Sequence, residues 1–122
     1  MGSTSDEPHA KKITDKLDEY GITWEQHAAS AHKQPLKVLE ILEANNNEKN
    51  IVYITIAGRS NALSGFVAAN SEFPTIGCPP FSDKSDMLVN IHSTLQMPSQ
   101  TPVLTVIDPG NCALAVKRIF GV

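Results

Sequence analysis

Residues Ile51–Gly65, IVYITIAGRSNALSG, constrain the fold more than any other stretch of the chain. Ile51 to Ile56 is apolar and β-branched almost throughout, the composition of a strand covered on both faces. Ala57 and Gly58 break that strand, and Ser60 or Asn61 can cap a helix reaching to about Asn70. Arg59 stands in the junction, a permanent cation at the carboxyl end of the strand. Open α/β sheets place their ligands at that edge.

The remaining segments repeat the alternation. The spacing of Ile13, Leu17 and Tyr20 predicts a helix that begins at Glu7, takes Ser5 or Asp6 as its cap and stops at Gly21. Ile22–Ala29 is expected as a strand, less apolar than the later ones because of Trp24 and His27. Pro35 opens a helix with Leu36, Leu39, Ile41 and Leu42. Pro74–Gly77 and Val103–Ile107 read as further strands, and Asp83–Leu95 and Asn111–Phe120 as further helices. Strands that alternate with helices pair in parallel through right-handed crossovers, so the expected fold is an α/β three-layer sandwich, one domain over residues 1–122. The order begins with a helix. Gly2–Asp6 therefore reads as a strand-to-helix loop whose own strand is missing.

Composition narrows the function. The 122 residues carry a net charge of −3, so no basic field points to nucleic acid or an anionic membrane. No apolar run reaches the length of a membrane span, and the polar residues after Met1 exclude a secretory signal. Cys78 and Cys112 form no CxxC or metal-type spacing and are expected as buried thiols of a cytoplasmic protein. His9, His27, His32 and His92 fit no metal motif. There is no phosphate-binding GxxxxGK[ST], no dinucleotide fingerprint and no GxSxG elbow, so neither a nucleoside triphosphate nor a nicotinamide cofactor is expected.

Three segments fall at strand-to-helix junctions on one edge: Gly2-Ser3-Thr4-Ser5-Asp6, Ser30-Ala31-His32-Lys33 and Gly58-Arg59-Ser60-Asn61. They combine small residues for close backbone approach, hydroxyl donors, free N–H groups at helix starts and two cations, which suits a phosphate monoester. Asp6 can accept from ribose hydroxyls, and His32 is the one group of the set able to move protons near neutral pH. Each has a plainer reading: Ser3, Ser5 and Asp6 as helix caps, His32 as a solvated loop residue, Arg59 as a surface ion-pair partner. Only their convergence on one edge argues for a site.

The motifs MGSTSD, SAHK, AGRSNALSG, CPP, QMPS and the closing NCALAVKRIF resemble, in order and along nearly the whole chain, those of the 5-aminoimidazole ribonucleotide (AIR) carboxylases. Lys33 and the Gly58–Asn61 loop are similar to the class that uses CO₂ directly, not to the class that rearranges N5-carboxy-AIR. The resemblance implies a flavodoxin-like fold and a homo-oligomer, tetramer or octamer, with AIR and CO₂ as substrates and no cofactor. It also implies that Ser3, Ser5 and Asp6 hold the ribose phosphate and that Ser30 and Lys33 line the substrate site. On the same basis His32 transfers the proton, while Gly58, Arg59 and Ser60 complete the pocket, with the phosphate as partner of Arg59.

Three departures from the family pattern carry expectations. Members have an apolar strand immediately before MGSxSD; without it, the flanking strands would stand about 9–10 Å apart across a gap. Members also continue past the last helix into a tail, and the family's MPSG is MPSQ here, which requires the loop to rearrange around Gln100 if that glycine needs a positive φ. The chain is accordingly read as a truncated form. The alternative readings are the N5-carboxy-AIR mutase reaction, an inactive nucleotide-binding module, and a structural domain without ligand.

Overall fold

The computed structural model describes residues 1–122. A 3₁₀ turn, Thr4–Asp6, leads into α1 (Glu7–Glu19); α2 (Pro35–Ala44), β1 (Tyr53–Thr55), α3 (Leu63–Ala69), β2 (Thr75–Gly77), α4 (Lys84–Leu95), β3 (Leu104–Thr105) and α5 (Pro109–Phe120) follow. The three strands form one parallel sheet in the order β1-β2-β3, with Ile54 opposite Ile76 and Ile76 opposite Leu104. Alternation along β1 divides the apolar side chains between two faces. Val52, Ile54 and Ile56 join Ile76, Cys78, α1 (Ala10, Ile13, Leu17) and α5 (Cys112, Ala113, Val116) in one core. Tyr53 and Ala57 join α2 (Val38, Leu42) and α3 (Leu63, Val67) in the other. The layers are those of a flavodoxin-like α/β sandwich.

Local signals set the helix boundaries. Pro35 and Pro109 occupy first turns, where a missing N–H costs nothing. Asp83 and Asp108 accept from the N–H groups of Asp86 and Asn111 as N-caps. The N-cap of α3 is Ala62, not Ser60 or Asn61, although Asn61, one residue earlier, accepts from the N–H of Ser64 at 3.1 Å. Gly121, at φ +69°, closes α5 in the left-handed conformation that glycine adopts without penalty.

Several expectations are corrected. Ile22–Ala29 is not a strand, and Ile51–Ile56 is ordered as β only over Tyr53–Thr55, with Tyr53 and Ile54 half-buried. Met1 and Gly2 lie between these two segments: the Met1 ammonium donates to the His27 carbonyl (2.9 Å), the Ala29 N–H to the Met1 carbonyl (3.0 Å), and the Gly2 N–H to the Ile56 carbonyl (2.9 Å). Beyond Met1 the space continues as an apolar cavity of about 930 Å³, walled by Ile22 and Trp24 on one side, Val52 and Ile54 on the other, and Ile13 and Leu42 from the helices. Gln100 adopts φ +60°, a left-handed conformation of the kind glycine takes without penalty. The first helix takes no side-chain cap from Asp6; instead Ser3 caps the 3₁₀ turn before it.

Candidate functional site

The two hydrogen bonds made by Met1 and Gly2 bring the three candidate turns together. Because Ala29 pairs with Met1 and Ile56 with Gly2, the residues that follow each (Ser30 onward, Ser3 onward and Ala57 onward) emerge side by side. A Cβ on Gly2 would lie 3.6 Å from that of Ala57, the measure of how closely the first and third turns approach. The third turn leaves the sheet at the carboxyl end of β1 and the other two emerge beside it, where helix starts present N–H groups rather than carbonyls.

The first turn is hydroxyl-rich. Ser3 Oγ accepts from the Ser5 N–H at 3.2 Å and lies 2.9 Å from Ser5 Oγ, so both hydroxyls point to the same exposed spot. Asp6 is half-buried, and burial pushes its carboxyl above the ordinary range, opposed by the nearby Met1 ammonium and His9. In the second turn Ser30 Oγ accepts from the Lys33 N–H at 3.1 Å, and the Ser30 carbonyl from the Gln34 N–H at 2.7 Å. These bonds close a tight turn that leaves His32 and Lys33 exposed at its tip.

In the third turn Arg59 has φ +45°, a left-handed conformation that costs a non-glycine residue roughly 1–2 kcal/mol. Strain of this kind persists only where its surroundings enforce it. The Arg59 side chain is 75 % exposed, and its nearest acid, Asp86, is 3.7 Å away, too loose a pair to hold the guanidinium firmly. Ser60 is exposed beside it, and Gly58 lies against Asn90.

Of the polar residues behind the rim, only Asn61 belongs to a candidate turn of the sequence. Asn61, Ser64, Thr55 and Thr94 form a buried chain of hydrogen bonds from 2.6 to 2.9 Å beneath the third turn. Under the first turn, His9 is buried with Nε2 3.6 Å from Cys78 Sγ and its ring edge-on to Phe81. Both cysteines are buried, as expected. No helix is long and apolar enough to cross a membrane.

The family model for AIR carboxylase matches residues 1–122. The chain belongs to the AIR carboxylase family. It is 49 % identical to a phosphoribosylaminoimidazole carboxylase of Archaeoglobus fulgidus over 98 % of its own length and 66 % of that relative's. It is 46 % identical to the enzyme of the same name from Treponema denticola, covering 98 % of this chain and 76 % of that one. The crystal structure of Treponema denticola PurE superposes with a TM-score of 0.92 at 44 % identity, over 99 % of this chain and 77 % of the other. The chain thus spans about two thirds to three quarters of these AIR carboxylase relatives.

Proposed function

We propose that this chain binds AIR at the three-turn rim and carboxylates it with CO₂ to 4-carboxy-AIR, a step of purine biosynthesis, without ATP or biotin. The observation that carries the reading is the juxtaposition of Ser3, Ser30 and Gly58 through the Met1–Gly2 hydrogen bonds, in a chain of the AIR carboxylase family. The 5′-phosphate sits on the Ser3 and Ser5 hydroxyls and the Arg59 guanidinium, which can donate in bidentate fashion. Asp6 accepts from the ribose hydroxyls. These contacts hold C4 of the imidazole within reach of CO₂ and convert a bimolecular encounter into a positioned one.

AIR is an enamine-type nucleophile at C4, and CO₂ is a neutral electrophile. Attack forms the C4–carboxylate bond and leaves a tetrahedral carbon bearing both the new carboxylate and the original hydrogen. His32 takes that hydrogen as a proton, and the C–H electron pair restores the aromatic ring. Lys33, with the neighbouring turn N–H groups, neutralises the carboxylate as it forms. Gly58 admits the ring closely, and Ser30 and Ser60 donate from the flanks.

The assay is carboxylation of AIR in bicarbonate buffer, run beside turnover of N5-carboxy-AIR. Turnover with AIR and CO₂ is expected; turnover of N5-carboxy-AIR alone would replace this reading with the mutase. The protein is further proposed to act in the cytoplasm as a homo-oligomer, tetramer or octamer. Supporting this, Leu88, Val89 and Leu95 of α4 lie 54 to 61 % exposed, apolar surface suited to a second copy. Sedimentation velocity should then show a species several times the monomer mass.

A further inference from the structure

Asp86, Asn90 and Ser93 occupy i, i+4 and i+7 on α4 and so share one face of the helix. In a sequence such polar spacing reads as a solvent face. Here it lies against the Arg59 turn. Asn90 Oδ1 accepts from the Arg59 N–H at 3.2 Å, and Ser93 Oγ donates to the Arg59 carbonyl at 2.8 Å. Ser93 Oγ also accepts from the Asn61 N–H at 2.8 Å, so one hydroxyl ties both ends of the strained peptide pair. Asn90 is itself fixed, its Nδ2 donating to the Pro80 carbonyl at 2.7 Å and more distantly to Asp86 Oδ2 at 3.3 Å. A Cβ on Gly58 would stand 3.1 Å from Asn90 Cγ, so the turn seats on this amide with no spare room. Asp86 Oδ2 accepts from the Ser82 N–H, and its other oxygen faces the Arg59 guanidinium.

We infer that Asn90 and Ser93 are positioning residues that hold Arg59 in its left-handed conformation for the phosphate monoester, with Asp86 as the resting partner that the phosphate displaces. The inference rests on the proposed role of Arg59 and adds the groups that enforce it. Both main-chain polar groups of Arg59 are satisfied from α4, and nothing within the turn itself offsets its positive φ. The guanidinium then needs to be held only weakly before the ligand arrives, and a partner 3.7 Å away at an exposed site does that.

Ser93 lies outside the residues that touch substrate, and its variants decide the matter. Ser93→Ala removes two hydrogen bonds and should raise the KM for AIR roughly tenfold, while kcat changes less than about twofold because His32 is untouched. Ser93→Thr keeps the hydroxyl and should restore KM. Ribose 5-phosphate and ribose serve as binding probes. In Ser93→Ala, affinity for the phosphate ester should fall while affinity for ribose stays constant; a merely structural role would lower the melting temperature without changing that ratio. If ribose 5-phosphate binds the unmodified protein and binds Ser93→Ala equally well, the positioning role is overturned and the site reading survives. If the unmodified protein does not bind it at all, both fall.

Discussion

Replacing His32 by Asn removes the one side chain at the rim suited to proton transfer near neutral pH, at a position already exposed. Turnover should drop by about 10²–10⁴-fold, the usual contribution of a general base, with the melting temperature unmoved. Asp6 offers a different test. Its folded-state pKa is raised by burial, so its contribution to stability is present below the ordinary carboxylate range and lost as pH rises through the folded value. At neutral pH the ionised carboxylate is therefore a cost to the fold. Asp6→Asn should raise the melting temperature at pH 7, an advantage that shrinks toward pH 4, while AIR binding weakens. Gln100, at φ +60°, should accept glycine with a gain of about 0.5–1 kcal/mol, readable by urea denaturation. The identities of Ser3, Ser30, His32 and Arg59 as candidates were legible in the sequence because small, hydroxyl and basic residues cluster after strand-like runs. Asn90 and Ser93 were not, because polar residues on a helix give no sign of whether water or another turn faces them.

At the scale of elements, the helices were foreseeable to within a few residues, since Pro35 and Asp83 stand at starts and Gly21 at an end, while α5 begins two residues before the expected Asn111. Asp108→Ala should cost about 1 kcal/mol, the worth of an N-cap, seen as a lower denaturation midpoint with unchanged slope. Strands were less legible. A strand's length is decided by its neighbour, and Ile51–Ile56 pairs with β2 only over Tyr53–Thr55. The apolar pattern shows what each stretch could pair with, not whether the partner is there. Gly77 illustrates the same limit on packing: a Cβ there would sit 2.9 Å from Thr94 Cγ2, so β2 admits α4 only because the side chain is absent, a requirement invisible until both elements are in place.

At the scale of the whole molecule, an apolar cavity of about 930 Å³ lies beside Met1, whose ammonium pKa is lowered by burial. Ser30, His32 and Lys33 are carried by a segment fastened to the sheet through the bonds at Met1 and the packing of Val38 and Leu42 on Leu63 and Val67. Arg59 belongs to the body formed by β1, β2, α3 and α4. On warming, the lightly fastened side should loosen first. Thermal inactivation would then precede global melting: the enzyme would lose its base while it could still grip a sugar phosphate.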